Sequence, residues 1–224
     1  MKKYIEMIKE LYKKPYGKAV LFFGFYLIFF VIIAVAARIG GRTSLDVKYD
    51  KETITGITTN ELKNYNYSFD YKVVLDDTTY SYVGSKESSK FNYTYNGKEY
   101  YNDKTKSYIK EEDWKEVDNP IKLNKFFNEI NVDRVLENSY IESKTTYDSG
   151  DTTYNLLVSS NTLNKLIDEK ETDYDEAPNK IIVSIDKDNY IKEINYNLNS
   201  YCKMRDDCNS LSLTIKYTNY SNVN

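Results

Sequence analysis

The chain has 224 residues, contains no histidine and carries a formal net charge of −3. Without histidine, neither a Ser-His-Asp triad nor an imidazole metal site can form. The charge is unevenly distributed. The chain has 31 basic and 34 acidic residues, and its first 42 positions contain 8 of the basic and 2 of the acidic ones. The remaining 23 basic and 32 acidic groups give that part a net charge of −9, which argues against a nucleic-acid partner.

The N-terminal region divides into a basic segment, residues 1–18, and an uncharged apolar run, residues 19–37. A helix of 19 residues is about 28 Å long, close to the hydrocarbon thickness of a bilayer. We interpret the run as a single-pass transmembrane helix in a bacterial cell membrane, with a cytoplasmic N-terminus and an extracellular C-terminal domain. A cleaved signal peptide remains the alternative, because Ala34-Val35-Ala36 has the small-x-small form of a cleavage site.

Residues 38–58 lack a strong period and are interpreted as a linker, so the folded extracytoplasmic domain is expected at residues 59–224. A period of two begins there, most clearly in Tyr65–Leu75, where every second residue is aromatic or aliphatic. Similar short runs follow, and Asn96-Gly97 is a strong hairpin-turn signal. The pattern predicts a meander of four or five antiparallel strands.

The apolar face of this meander has two interpretations, a core wall or a surface kept for a ligand. Tyrosine is frequent on it, and each buried hydroxyl needs a hydrogen-bond partner. The candidate ligand-facing residues are Tyr65, Tyr67, Phe69, Tyr71, Phe91, Tyr93 and Tyr95.

Helical signals interrupt the strands after residue 118. Asn119 suits an N-cap and Pro120 a first helical position, and apolar residues follow at helical spacing from Leu123 to Ile130. A second short turn or helix is expected over residues 132–136, and a third helix is expected to be capped near Ser160. Trp114, Phe126 and Phe127 are predicted core anchors, and for Trp114 a platform for sugar binding is the alternative. With further strands after residue 139, the sequence predicts an α+β domain of nine or ten strands and two or three short helices.

The two cysteines, Cys202 and Cys208, have a spacing that suits a disulfide in an oxidising compartment. Two reduced thiols are the alternative. Residues 186–189 resemble the start of a calcium loop, but Ile191 and Asn197 stand where its glycine and glutamate would be. A hairpin turn is therefore expected there, and we expect no metal and no cofactor.

The order of elements resembles the LolA/LppX-type lipoprotein carrier superfamily. The resemblance spans most of Leu62 to Tyr220 and includes the hairpin NGKEYYNDKTKSYIKEEDW, which ends at Trp114 before a helical segment. It implies a curved sheet, or half-barrel, with short helices on its concave side and a space for acyl chains. A protein helix as anchor departs from the family pattern, which favours local binding over shuttling.

We therefore expect a non-enzymatic, membrane-anchored extracytoplasmic domain that binds an apolar ligand, such as a lipid, or an envelope protein on the concave face of its sheet. The alternative is a structural or assembly scaffold of the cell envelope without a small-molecule ligand. An enzyme acting on wall glycans would require two carboxylates about 5 to 9.5 Å apart in a cleft.

Overall fold

The computed structural model describes residues 14, 16, 26, 29, 30, 56–57, 59–103, 105–168, 177–204 and 208–223. The chain divides into two compact units, Met1–Thr43 and Ser44–Asn224. Most of the predicted transmembrane segment and linker lies outside the described residues. Within the described ranges, no helix has the length and apolarity needed to cross a membrane.

The second unit is built on one antiparallel sheet of eleven strands. The strands are β1 Tyr65–Leu75, β2 Thr78–Glu87, β3 Lys90–Tyr95, β4 Lys98–Asn102, β5 Ser107–Lys110, β6 Trp114–Val117, β7 Tyr140–Thr146, β8 Thr152–Val158, β9 Asn179–Ile185, β10 Ile191–Asn197 and β11 Leu211–Asn222. Their order across the sheet is β6-β5-β4-β3-β2-β1-β11-β10-β9-β8-β7. Two meanders therefore meet at the centre, where β1 pairs with β11, and their outermost strands β6 and β7 form the edges.

Four short helices and one 3-10 turn accompany the sheet. They are the turn Leu62–Asn64 and helices α1 Asn124–Phe127, α2 Glu129–Glu137, α3 Ser160–Asp168 and α4 Asn199–Met204. Helices α1 and α2 belong to a crossover segment, residues 118–139, that connects the edge strand β6 to the opposite edge strand β7. This large antiparallel sheet with short helices fits the half-barrel expected from the sequence.

One face of the sheet, here called the inner face, forms the core. On β1 it carries Tyr67, Phe69, Tyr71 and Val73, which are all buried. The register places Tyr71 opposite Tyr82 on β2 and opposite Ile215 on β11. Because side chains alternate along a strand, the intervening residues lie on the opposite, outer face.

The crossover segment corrects one prediction, because no helix begins at Asn119-Pro120. The Asn119 side chain instead accepts a hydrogen bond from the Ile121 N–H at 3.0 Å, which forms a turn. Helix α1 starts only after Leu123, whose φ is 53°. Asn128 then ends α1 and caps α2 by accepting from the Ile130 N–H at 3.0 Å. Asparagine side chains that bond the backbone two residues ahead thus divide the expected helix.

This division also changes the expected apolar stripe. Ile130 was placed on the same helical face as Phe126 and Phe127, but it is 58% exposed, whereas both phenylalanines are buried. The break at Asn128 rotates the second helix relative to the first. Ile130 therefore lies beside the core rather than in it.

Three local predictions are confirmed. Asn96 and Gly97 turn between β3 and β4 with φ values of 49° and 72°, as a type I′ turn requires. Cys202 and Cys208 form a disulfide, with Cα atoms 5.3 Å apart. Residues 186–189 form a hairpin turn in which the Asp186 carboxylate accepts from the N–H groups of Asp188 and Tyr190, both at 2.9 Å.

Two elements were missed. Strand β6 is short and polar, and only its pairing with β5 defines it. Helix α4 begins just before the disulfide loop, and the Asn199 side chain at its start accepts from the Leu211 N–H at 2.9 Å. Neither element carries enough apolar residues to produce a periodic signal.

Candidate functional site

Six of the seven aromatic residues predicted to face a ligand lie in the core or pack against it, and Tyr65 packs on Tyr190 and Tyr220 at the start of β1. Four of the seven are buried and three partly buried: Tyr67, Phe69, Tyr71 and Tyr93, then Tyr65, Phe91 and Tyr95. The Phe127 ring of α1 lies 4.9 Å from the rings of both Phe69 and Tyr71. Most of this aromatic face is therefore covered by the crossover segment and is not open to a ligand.

The tyrosine hydroxyls of this face bind the backbone of the crossover segment. Tyr71 donates to the Lys122 carbonyl at 3.1 Å. Tyr82 donates to the Pro120 carbonyl at 2.9 Å and accepts from the Lys122 N–H at 3.0 Å. Burial raises the pKa of Tyr82 to about 12, so its hydroxyl stays protonated and remains a donor. These bonds satisfy non-helical backbone groups that would otherwise be buried without partners.

A buried lysine, Lys86, holds the start of β1 to the crossover segment. It is 1% exposed, and its ammonium donates to the carbonyls of Leu62, Lys63 and Tyr65 at 3.2, 3.1 and 2.7 Å. The same Nζ lies 2.8 Å from a carboxylate oxygen of Glu129 on α2. Every polar contact that a buried ammonium needs is therefore present.

The alternation along β2 contains a signal for this residue. Lys86 follows Tyr82 and Gly84 at the alternating positions of β2 that face inward. A lysine at such a position predicts a buried cation with a carboxylate partner.

Two further buried polar groups, on α2 and on β10, lack some of their hydrogen-bond partners. One carboxylate oxygen of Asp133 and the hydroxyl of Tyr196 are buried without a hydrogen-bond partner. Desolvation is the main cause that raises the pKa of Asp133 to about 7. The backbone hydrogen bond from Leu62 opposes it, and the nearby carboxylates of Glu61 and Glu129 add to it. Burial thus disfavours the charged form of the Asp133 carboxyl.

Beside α1 and α2 a cleft of about 520 Å³ opens toward β3 and β4. Its apolar lining consists of Phe91, Ile121, Phe127 and Ile130, and the Phe91 and Phe127 rings lie 5.4 Å apart. Its polar lining is mainly amide side chains, contributed by Asn102, Asn119, Asn124 and Asn128. The volume lies within the usual range of small-molecule sites.

Several cleft polar groups are held in place by other contacts. The Asn102 side chain accepts from the Tyr93 hydroxyl at 3.0 Å and donates to the side-chain amide oxygen of Asn119 at 3.2 Å. The Asp103 carboxylate closes its own turn, because the N–H groups of Thr105 and Lys106 donate to it and lower its pKa. Within the described part of the chain, no group of acidic or cysteine side chains has the arrangement of a metal site. The cleft therefore combines apolar side chains with amide groups, and several of its polar groups are already bonded within the fold.

One predicted core anchor is wrong. Trp114 lies on the outer face of the edge strand β6 and is 46% exposed, because the β5–β6 register pairs it with Lys110 rather than with inward-facing Ile109. Phe126 and Phe127, the other two predicted anchors, are buried. The face of a four-residue strand depends on its pairing partner, which the local sequence does not reveal.

The described part of the chain has an open antiparallel sheet with short helices on its inner face, the arrangement that the resemblance in the sequence implies. The similar solved structures include LprF from Mycobacterium bovis, with a TM-score of 0.40 and 10% identity, covering 72% of this chain and 89% of that chain. A LolA superfamily protein from Nitrosomonas europaea has a TM-score of 0.27 and 8% identity, with 72% and 86% covered. A DUF1329 family protein from Desulfovibrio piger has a TM-score of 0.24 and 12% identity, with 83% and 92% covered.

These similarities concern the fold and identify no ligand. No protein-family model matches the chain, and no curated protein has significant sequence similarity to it. The functional argument therefore depends on the side chains of this chain.

Proposed function

We propose that this protein is a membrane-anchored extracytoplasmic binding domain that holds an apolar or amphiphilic ligand, such as a lipid, in the cleft beside α1 and α2. The cleft itself carries the proposal, since it combines about 520 Å³ of space with an apolar lining. Ile130 presents the largest apolar surface of this lining to solvent, because it is 58% exposed, whereas Ile121 and Phe127 are buried and Phe91 is partly buried.

The lining matches an amphiphile in two ways. An acyl chain would lie on Phe91, Phe127 and Ile130, where it would remove apolar surface from water. A polar head would meet Asn124 and Asn128 near the exposed side of α1 and α2, where amides offer both donors and acceptors. The aromatic residues under the crossover segment support the cleft from below. They stay buried when a ligand binds, so binding requires no rearrangement of the fold.

The anchor rests on the sequence of residues 19–37 and is tested separately. We expect the full chain to stay in the membrane fraction after alkaline extraction, and a chain starting at residue 38 to be released. Release of both the full chain and the shortened chain would contradict the anchor but would not affect the proposal that the cleft binds a ligand.

Native mass spectrometry and a fluorescent fatty acid, cis-parinaric acid, test the ligand. The detergent-purified full chain is expected to carry a bound lipid mass and to enhance the fluorescence of the probe. Ile130→Asp places a charge in the apolar lining and should weaken probe binding by about tenfold or more. Ile182→Asp is the matched control, because Ile182 is an exposed isoleucine on the outer face of β9 and should leave the affinity unchanged.

The outcomes separate binding from scaffolding. Equal probe affinity in the parent and in Ile130→Asp would exclude the cleft as the site. Absence of any bound mass together with absence of probe binding would overturn the ligand proposal. Recovery of one specific envelope protein in a pull-down would then favour the scaffold.

A further inference from the structure

Three aromatic side chains lie together on the outer face, on the side of the sheet opposite the cleft. These residues, Tyr101 on β4, Tyr108 on β5 and Trp114 on β6, are here called the aromatic platform. The Tyr101 ring centroid lies 5.8 Å from that of Tyr108 and 6.0 Å from that of Trp114. Trp114 is 46% exposed, so the platform presents ring surface to solvent.

Trp114 separates two shallow grooves. One groove, of about 440 Å³, contains Lys90 and Asn92 beside the platform. The other, of about 290 Å³, continues from Trp114 across the sheet to β2 and includes Ser85, Thr94 and Glu99. Because Asn92 and Trp114 line both grooves, the two grooves adjoin and are here together called the path, which suits an extended ligand more than a compact one.

Two lysines add positive charge to this path. The Lys90 Nζ lies 5.8 Å from the centroid of the Tyr101 ring, and the Lys110 Nζ lies 5.2 Å from that of Trp114. The neighbouring cations on these strands, Lys106 and Lys115, are paired with Glu116 and Glu111. Neither Lys90 nor Lys110 forms a salt bridge within the described part of the chain. Their charge therefore remains available to an anionic ligand.

We propose that the aromatic platform binds an anionic glycan, a polysaccharide that carries carboxylate or phosphate groups. The C–H groups on the face of a sugar ring carry partial positive charge, which the negative face of an aromatic ring attracts. Asn92, Thr94 and Glu99 offer partners for sugar hydroxyls along the path. Lys90 and Lys110 pair with the anionic groups of the chain. This site is independent of the inner-face cleft.

One observation favours a glycan over an anionic membrane surface. The Trp114 ring packs beside Tyr101 and lines grooves on both sides, whereas insertion into a bilayer requires side chains that project from the surface.

The test uses the full chain in phosphatidylcholine nanodiscs and the fluorescence of Trp114, the only tryptophan in the sequence. Polygalacturonate is the probe, and its methyl-esterified form is the matched ligand without charge. We expect polygalacturonate to shift the Trp114 emission saturably and to bind more weakly as salt increases. The esterified form should bind more weakly, with little dependence on salt.

Variants assign the effect to the platform, with binding measured by affinity electrophoresis. Trp114→Ala should weaken binding roughly fivefold to tenfold, and Trp114→Phe, which keeps a ring, should recover part of it. Lys90→Ala combined with Lys110→Ala should make the two forms of the polymer bind equally. Ile182→Ala, on the outer face of β9, should have no effect.

Two results would overturn the proposal. One is unchanged polygalacturonate binding in Trp114→Ala, or no binding in the parent. The other is an emission shift that appears only when phosphatidylglycerol is added to the nanodisc, which would assign the platform to the membrane surface.

Discussion

The two halves of the inner face are both buried, but their buried side chains differ in chemical type. Strands β1 to β3 present mainly tyrosine and phenylalanine, whereas β9 to β11 present mainly Ile181, Val183, Ile194, Leu213 and Ile215. The aromatic half lies under the non-helical start of the crossover segment and under Phe127 of α1, whereas the aliphatic half has helix α4 against β9 and β11. The aromatic half therefore meets the irregular backbone around Pro120 and Lys122.

The difference has a simple physical cause. A helix satisfies most of its own backbone groups and needs only an apolar surface beneath it. The stretch around Pro120 and Lys122 is not helical, so its buried carbonyls require donors, which Tyr71 and Tyr82 supply. Lys86 does the same for the carbonyls of the turn before β1. Polar donors on the aromatic half thus stabilise irregular backbone.

Replacing the buried ammonium should have the largest effect. Lys86→Met removes the partner of Glu129 and leaves three carbonyls without their donor, so we expect a loss of about 3 to 5 kcal/mol in the free energy of unfolding. Lys192→Met is the control, because it breaks the exposed pair with Asp151 at 2.8 Å and should cost about 1 kcal/mol or less. Urea unfolding followed by circular dichroism measures both. Similar losses in the two variants would show that Lys86 has no special role.

Removing one tyrosine hydroxyl from each half should change the free energy of unfolding differently. Tyr82→Phe leaves the Pro120 carbonyl and the Lys122 N–H without a partner and should cost about 1 to 3 kcal/mol. Tyr196→Phe removes a buried hydroxyl that has no partner, so its stability should be equal to or above that of the parent. The same unfolding measurement compares them, and a larger loss in Tyr196→Phe would contradict the proposed division.

A dependence of stability on pH is expected from Asp133. Its pKa rises from 3.8 to about 7 on folding, so the folded state holds this proton more tightly than the unfolded state. The stabilisation is complete below about pH 4 and is lost as the pH rises through about 7. Asp133→Asn removes this titration and keeps an acceptor for the Leu62 N–H. The variant should exceed the parent in stability above pH 7, and the difference should shrink toward pH 4.

A parent that is equally stable across this range would contradict the raised pKa. The measurement is the urea midpoint at a series of pH values. Lys86→Met should not alter the direction of this dependence, because the main cause is the desolvation of Asp133 itself.

Regular alternation and local turn chemistry were enough to predict much of the sheet. The run Tyr65–Leu75 is one strand with its aromatic side inward. The helix expected near Ser160 is also present, with Ser159 accepting from the Thr162 N–H at 3.0 Å. These features depend on residues that are close together in the chain, so the local sequence is sufficient to predict them.

The candidate sites were less predictable. The cleft depends on the break at Asn128, whose side chain caps α2 and interrupts a continuous helical pattern. The aromatic platform depends on the β5–β6 register, which places Trp114 outside. Lys86 is an inward lysine whose partner lies 43 positions later in the sequence, on α2.

By itself the sequence determined the strand periodicity, the hairpin at Asn96-Gly97, the disulfide and the expectation of an exported, anchored domain. Only the tertiary structure decided which aromatic residues are buried, where a cleft remains and which face Trp114 occupies. The reason is that alternation divides residues between two faces without saying what covers each face. That depends on pairing and packing between residues far apart in the chain.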